Sequence, residues 1–528
     1  MSTLTIDGKE ITVEEGTTIL KAAEKLGIFI PHYCYHPSLS VVGSCRLCFV
    51  EVAGSPKLVA SCSTSVQDGM EVVTNSERII KSRESIMEFL LINHPLDCPV
   101  CDRAGECNLQ DYAFLYGKPH SRFKEEKKVF PRKDFGEHVV LYTNRCIMCT
   151  RCVRVLKEIA GHEELGVFQR GEETQIDVFP EKTLKNKLAG NIVDICPVGA
   201  LIDKDFLHKT RVWNLTSFNS ICPKCSKGCN IRLDVKDNTI FRIKPRQNDD
   251  VNSYWICDDG RYGYHEWDNV KRVESPLKND SERHIEIGWD EAIYLINKGF
   301  KSIFEKYGSP AIAGLGNSQA SNEENFLLHY YIQGLYGSGN IFLYHINQNG
   351  YEEGFKCGFK IESDKNPNKK GAVITLGIED KEGSFEFLLE KIDNGEIKTL
   401  YFIHKNIDDK LDDDKLRILQ KLEFFAVQSV TESVFTEIAD VVLPGTNFSE
   451  SDGTYVNSSG RIQRYFKAIE QHGLVKEGWE ILYILIKKSG GDLDVQSPGD
   501  VFNKMANNYK EFNGLTFYKL GDTGVKLG

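Results

Sequence analysis

Nowhere in its 528 residues does the chain run the ~18 uninterrupted apolar side chains that a membrane-crossing helix needs. Any link to a membrane is therefore expected to run through other subunits. The opening Met1-Ser2-Thr3-Leu4-Thr5-Ile6-Asp7 lacks the basic head and apolar core of a secretory leader, so export is not expected. Positive charge is not in excess either. The formal net charge is −11, which argues against nucleic acid as a partner, because phosphates want a basic face. No acid–base dyad, nucleophile triad or phosphate-cradling loop stands out, so the chemistry is expected to reside in bound cofactors. Cysteine is almost missing from the second half, where only Cys357 follows Cys257.

What is present is concentrated in the first half. The 41% hydrophobic and 27% charged content is that of an ordinary globular protein, and the length calls for several domains. Of the 16 cysteines, all but Cys357 fall into four groups with metal-cluster spacing, and one histidine completes the group that is a thiol short. The groups are Cys34/Cys45/Cys48/Cys62, His94/Cys98/Cys101/Cys107, Cys146/Cys149/Cys152/Cys196 and Cys222/Cys225/Cys229/Cys257. Cysteine-rich sequence without export points to metal ligation rather than disulfides. Four ligands complete one iron–sulfur cluster, so four sets describe an electron wire.

Each set makes its own demand. The first, C-x10-C-x2-C-x13-C, has a close pair that reaches one iron and outer cysteines brought in by loops. A [2Fe–2S] centre suits it, with structural zinc as the competing occupant. The second, H-x3-C-x2-C-x5-C, leaves one iron of a cubane without a thiolate, and His94 is in reach of it. Neutral imidazole in place of thiolate removes a negative charge and raises the potential. His32 and His36 flank Cys34, but that set already has four thiolates, so they read as loop residues. In the third, C-x2-C-x2-C is followed, after 43 intervening residues, by Cys196-Pro197, the bacterial-ferredoxin style of [4Fe–4S] ligation. No second triplet accompanies it, so one cluster is expected there. Gly199 reads as relief where backbone approaches that cluster, or as a plain turn. The fourth, C-x2-C-x3-C-x27-C, fits a zinc ribbon or a [4Fe–4S] cluster.

The intervening sequence predicts a small β-rich module first. Leu4–Ile6 and Ile11–Val13 alternate around Asp7-Gly8, a strong hairpin signal. Residues 17–26 read as a helix closed by Gly27, and residues 79–91 as another. Residues 118–133 read as a solvated basic connector. After residue 270, strands over 372–376 and 399–403 alternate with helices over 290–305 and 322–331, which implies a parallel sheet covered on both faces. Gly314-x-Gly316 reads as a tight strand–loop turn, and Cys357 as a small buried hydrophobe.

The order of these four groups resembles the family of large iron–sulfur subunits, the G subunits, of bacterial respiratory complex I, the NADH–quinone oxidoreductase. The residues that carry the likeness are His94-Pro95-Leu96-Asp97-Cys98-Pro99-Val100-Cys101 and Cys196-Pro197-Val198-Gly199-Ala200. Downstream, Trp289-Asp290-Glu291-Ala292, Ser321-Asn322-Glu323-Glu324-Asn325 and Ala439-Asp440-Val441-Val442-Leu443-Pro444 look like the molybdopterin-oxidoreductase fold. Glu450, Asp452-Gly453-Thr454-Tyr455, Asn457 and Gly460-Arg461-Ile462-Gln463 continue that match. The resemblance implies an α+β and α/β multidomain chain. Its first parts are a β-grasp [2Fe–2S] ferredoxin-like domain over 1–80 and a [4Fe–4S] segment with one histidine and three cysteine ligands over 81–120. A ferredoxin-like [4Fe–4S] domain over 121–213 comes next. A fourth [4Fe–4S] module over 214–270, a truncated molybdopterin-oxidoreductase-like region over 271–490 and a tail over 491–528 follow.

It further implies one [2Fe–2S] and three [4Fe–4S] clusters without molybdopterin, and electron flow from NADH- and flavin-binding subunits through the first, third and second sets. Ferredoxin-like and quinone-proximal subunits would receive the electrons, with the fourth set off the path. The expected place is the peripheral arm, on the cytoplasmic side of the plasma membrane. The stretch after Cys257 is too short for a complete molybdopterin enzyme, and the surroundings of Cys357 do not match a molybdenum-ligand loop. A formate dehydrogenase chain, a hydrogenase chain and a zinc-stabilised scaffold are the competing functions.

Overall fold

A computed structural model describes residues 1–280, 283–346, 350–378, 383–407 and 409–528. It divides into two units, Met1–Leu215 with Phe355–Phe359, and Thr216–Gly354 with Lys360–Gly528.

The first unit begins with a five-stranded mixed sheet. Ser2–Ile6 and Lys9–Val13 form the expected hairpin, with Ile6 opposite Lys9. Its two turn residues, Asp7 and Gly8, have φ of 48° and 79°, as a two-residue primed turn requires. Ser2–Ile6 runs parallel to Met70–Val73, and Phe49–Val52 and Val59–Ala60 complete the sheet. Helix Ile19–Lys25 is capped by Thr18 and buries Ile19, Leu20, Ala22 and Ala23. They meet Leu4, Ile6, Val50 and Val72 of the sheet, which gives the β-grasp arrangement. Gly27, at φ 71°, ends the helix with Ile28 N–H bonded back to Ala23 O at 2.9 Å, a Schellman close. Cys48 and Cys62 belong to this same core.

Ser76 caps the next helix, Glu77–Leu91. At its far end Lys127 donates to the carbonyls of Leu91, Ile92 and His94 at 2.8, 2.9 and 2.9 Å. The connector around residues 118–132 is exposed as expected, but this lysine fixes the approach to His94. Helix Asn108–Tyr116 starts directly after Cys107. Beyond it lie a three-stranded sheet of Lys133–Asp134, Val139–Leu141 and Leu201–Asp203, and a hairpin of Leu165–Phe168 with Gln175–Val178. The short helix Arg151–Arg154 widens into a π-turn, Val155–Ala160. Against it lies the detached piece Phe355–Phe359, whose Cys357 N–H donates to Ile159 O at 3.1 Å. Cys357 itself is exposed rather than buried, because Phe355 and Phe359 on either side take the inward positions.

The second unit opens with an antiparallel meander, Thr216–Ile221, Asn230–Lys236 and Thr239–Pro245. Its main sheet has seven strands, of which five are parallel: Val441–Pro444, Phe424–Ser429, Thr399–His404, Ile312–Asn317 and Ile341–Tyr344. Leu277–Asn279 and His284–Glu286 add an antiparallel edge that the sequence did not reveal. Both faces are covered. Along Thr399–His404, Tyr401 and Ile403 enter one core with helices Trp289–Tyr307 and Gly478–Lys488. Leu400 and Phe402 enter the other, with helices Phe385–Asp393 and Val434–Ile438.

Several expectations are corrected here. The run 372–376 lies in a helix, Lys369–Leu376, not a strand. Gly371, Ala372, Thr375 and Leu376 are buried while Val373 and Ile374 are not, which is helical spacing, and Gly377 at φ 64° closes it. Gly314 and Gly316 sit inside a strand, not in a turn. A Cβ on them would lie 2.7 Å from Ile332 and 2.6 Å from Leu376, so they let helices close onto the sheet. Helix Asn322–His329 passes into a π-turn, Tyr330–Leu335, instead of ending at Tyr331. Residues 491–528, which read as a tail, contribute Val501, Phe502, Met505 and Phe512 to the first of the two cores.

Phe300 is fully buried against Tyr331, Tyr336 and Phe424, with ring centroids 5.5, 5.8 and 6.2 Å away. Phe300→Ala is expected to cost about 3–5 kcal/mol, read by calorimetry as a lowered transition of this unit with the first unit's transition unmoved.

Candidate iron–sulfur sites

In the first set, Cys34 and Cys45 share a hydrogen bond at 3.5 Å, and Tyr33 N–H donates to Cys45 Sγ at 3.4 Å. The bond with Cys45 holds the Cys34 thiol down at about 4. The bond with Cys62 lowers Cys48 to about 7. The same bonds, with burial, raise the partner thiols Cys45 and Cys62, so each pair gives up one proton readily and holds the other. His32 bonds Ile30 O through Nδ1 at 2.9 Å, and His36 Nδ1 accepts Ser38 N–H at 3.2 Å, so both rings serve the loop.

The second set follows the helix that Lys127 closes. His94 Nδ1 is buried and has no hydrogen-bond partner among the described residues. Burial pushes its pKa down to about 4, so the ring is neutral at pH 7 with a lone pair to give. Cys98 opens a single 3-10 turn, Cys98–Val100, and its carbonyl accepts Cys101 N–H at 3.2 Å. Cys101 and Cys107 are each 8% exposed, and burial raises both thiols.

Cys146, Cys149, Cys152 and Cys196 line a single cavity with Leu141, Ile176 and Val198. Two residues of the triplet loop, Met148 and Thr150, have φ of 53° and 57°. Such left-handed non-glycine backbone is held at a cost, characteristically at functional sites. Burial pushes Cys146 up to about 12 and Cys149 to about 11.

In the fourth set Cys222, Cys225, Cys229 and Cys257 are all buried. Cys222 N–H donates to Cys229 O at 2.9 Å, and Cys225 O accepts Gly228 N–H at 3.4 Å, which folds the loop back on itself. Burial first, and then the charge of Cys225, pushes the Cys222 thiol up to about 12. Cys257 Sγ accepts Gly260 N–H at 3.4 Å. Gln463 donates to Gly228 O at 3.0 Å and Asn457 to Lys227 O at 3.0 Å, bracing that loop. A Cβ at Gly260 would stand 3.0 Å from Cys222 Sγ.

Among the described residues, no three His, Cys, Asp or Glu side chains converge within reach of a single metal ion. A zinc ion draws its four ligands to one point, whereas the thiols of an iron–sulfur cluster each go to an iron at the edge of a larger body. Cysteine sulfurs, which bind iron as thiolates, around an apolar cavity and an orphaned imidazole nitrogen are the donor chemistry that such clusters use. The residues present fit such groups.

Sequence reading missed the arginines that tie the first three sets together. Arg154 donates to Cys34 O and Ser40 O, both at 2.6 Å, and to Cys149 O at 3.2 Å. Arg151 donates to Tyr35 O and, at 3.2 Å, to Ile195 O. Both therefore join the first set to the third. Arg145 pairs with Asp97 at 2.6 Å and Arg103 donates to Asp194 O at 3.1 Å, joining the third to the second. The available signal was an arginine directly before Cys146 and another directly before Cys152. Gly199 also belongs to this seam. Its absent Cβ would overlap Cys101 Sγ of the second set, so it serves that set and not its own neighbour Cys196.

Comparison with known proteins covers the same ground. Residues 1–77 match a 2Fe-2S iron-sulfur cluster binding domain, and residues 83–122 the NADH-ubiquinone oxidoreductase-G iron-sulfur binding region. Residues 136–202 match the ferredoxin-like domain of NADH-quinone oxidoreductase subunit 3. The Molybdopterin oxidoreductase Fe4S4 domain matches residues 215–269, and Molybdopterin oxidoreductase residues 339–488. The NADH-ubiquinone oxidoreductase 75 kDa subunit of Reclinomonas americana is 32% identical over 94% of this chain and 90% of its own length. The chain belongs to that family. The G subunit of NADH-quinone oxidoreductase from Rickettsia bellii is 42% identical over 67% of this chain and 50% of its own length. The chain thus spans about half the length of the Rickettsia G subunits it matches. A chain of a NAD+-reducing [NiFe]-hydrogenase is 35% identical over 40% of this chain and 91% of that one, with a TM-score of 0.37.

Gly199→Ala is expected to remove iron from the His94 set alone. Bound iron should fall by about four atoms per chain while the cavity around Cys146 keeps its cluster signal.

Proposed function

We propose that this chain is an electron-transfer subunit of an NADH–quinone oxidoreductase, with no substrate site of its own. The observation that carries the reading is the chain of side-chain contacts from the first set to the third through Arg151 and Arg154, and from the third to the second through Arg145 and Arg103. That order supports electron entry at Cys34/Cys45/Cys48/Cys62, which would hold a [2Fe–2S] centre. Cys146/Cys149/Cys152/Cys196 and then His94/Cys98/Cys101/Cys107 would each hold a [4Fe–4S] centre. Cys222/Cys225/Cys229/Cys257 would hold a third, off the path. Once bound, such centres accept and release single electrons.

The protein's part is to hold the sulfurs, exclude water and set the charge around them. The Cys146 cavity is lined by Leu141, Ile147 and Val198, an apolar surround for the sulfurs. His94 supplies a neutral donor in place of a thiolate. The partners on this reading are flavin- and NADH-binding subunits upstream, and ferredoxin-like and quinone-proximal subunits downstream. The chain would sit in a peripheral arm on the cytoplasmic side of the membrane. Among the described residues no helix is long and apolar enough to cross a membrane. The molybdopterin-like region carries no molybdopterin on this reading and serves as scaffold.

Metal analysis of the chain should return about 14 iron atoms with matching acid-labile sulfide and neither molybdenum nor zinc. Stoichiometric molybdenum with formate turnover would replace the proposal with a dehydrogenase. His94→Cys adds a negative charge and is expected to lower the midpoint of one [4Fe–4S] signal in an EPR-monitored titration. An unchanged midpoint removes His94 from the ligand set.

A further inference from the structure

Half-buried Arg211 serves the second set alone, donating to Cys101 O at 2.7 Å, whereas four buried or half-buried arginines join one of the first three ligand sets to another, and these four differ in one respect. Arg145, 4% exposed, is neutralised by Asp97 at 2.6 Å, and Arg103, 8% exposed, faces Glu106 at 3.4 Å. Arg151 and Arg154 have no carboxylate partner among the described ion pairs. Their hydrogen bonds run to backbone carbonyls alone: Tyr35 O and Ile195 O for one, Cys34 O, Ser40 O and Cys149 O for the other. The Nε of each is buried without a partner. Glu158, one turn beyond Arg154, is engaged elsewhere and takes Ser40 N–H at 2.8 Å and Ser40 Oγ at 2.5 Å. Two guanidinium charges are thus held out of water, between two sets of thiols, with no side-chain anion to balance them. A buried charge without a counter-charge is strongly disfavoured, and carbonyl dipoles offset only part of that cost.

We propose, resting on the cluster reading above, that Arg151 and Arg154 are shared counter-cations of the first and third sites and set the potentials of both together. A cluster held by four thiolates carries net negative charge, and reduction adds one more unit of it. Arg154 touches the backbone of Cys34 on one side and of Cys149 on the other, so its charge favours the added electron at either site. An electron that passes from the first site to the third leaves the total charge facing the two arginines unchanged, and no proton accompanies it. The cations therefore lift both potentials relative to an outside donor while altering the step between them little. Across the other seam, the Arg145–Asp97 pair is neutral and should not act in this way.

The test uses the full chain with iron and sulfide content measured first, then an EPR-monitored redox titration. Signals are assigned by Cys48→Ser for the first site, Cys196→Ser for the third and His94→Cys for the second. Arg154→Met is expected to lower the midpoints of the first and third sites in parallel and to leave the second in place. Arg154→Lys should restore most of the shift. Arg151→Met leaves the contacts of Arg154 in place and is the second charge-removing variant, expected to act in the same direction. Full iron content with unchanged midpoints, or a shift confined to one site, overturns the proposal. Loss of iron from the methionine variants that lysine rescues supports a requirement for charge, whereas loss that lysine does not rescue overturns it. Wild-type chain without acid-labile sulfide would sink the cluster reading itself, an outcome separate from these.

Discussion

Irregular backbone needs donors from somewhere, and in the first unit they come from arginine. The ligand sets lie in loops whose carbonyls have no ladder to satisfy them, and a buried carbonyl without a donor costs free energy. A guanidinium presents five N–H groups in a rigid fork, enough to serve two loops at once. The short helix Arg151–Arg154 places two such forks one turn apart, so carbonyls at positions 34, 35, 40, 149 and 195 are held from one point. The positions of the eight candidate ligands of the first and third sets relative to one another depend on that turn. Lysine, with a single flexible ammonium, reaches fewer of them, although at position 127 one ammonium does cap three carbonyls near His94.

The second unit solves a different problem with buried carboxylates, one held by hydrogen bonds and two by ion pairs. Glu323 accepts Thr454 N–H at 2.9 Å and Thr454 Oγ1–H at 2.8 Å, and Lys405 meets Glu324 at 2.7 Å. Arg272 pairs with Glu450, whose side chain is wholly buried, at 2.7 Å. Burial raises Glu323 to about 7 even with its hydrogen bonds. Such pairs contribute little net stability against apolar replacements, but losing one partner is expensive. They fix which helix meets which strand. Residues that resembled an enzyme family in sequence are, in this fold, engaged with one another.

Much of this was legible in the residues. The hairpin at Asp7-Gly8, the helix closed by Gly27 and the strand at Thr399–His404 follow from turn chemistry and alternation, which are local. Cysteine spacing marked the candidate ligands because loop length limits which thiols meet. What the sequence hid was long-range. The helix at Lys369–Leu376 reads as a strand because a short apolar run carries either period. Gly199 sits three residues from Cys196 but is required by Cys101, nearly a hundred positions earlier. Cys357 reads as a small buried hydrophobe, but Phe355 and Phe359, two positions to either side, take the interior instead. Arg151 and Arg154 reach back to carbonyls of the first set more than a hundred positions away, beyond the reach of any local pattern.

The five residues Phe355–Phe359 belong to the first unit although the chain around them belongs to the second. They bury Phe355 and Phe359 and hand Cys357 N–H to the last turn of the helix that carries Arg151 and Arg154. Cutting the polypeptide at Leu215 would therefore not release an intact module. An N-terminal fragment would carry an unsatisfied Ile159 carbonyl at the end of its own arginine turn. Grafting or recombining this cysteine-rich half onto another protein would require bringing a patch from far downstream.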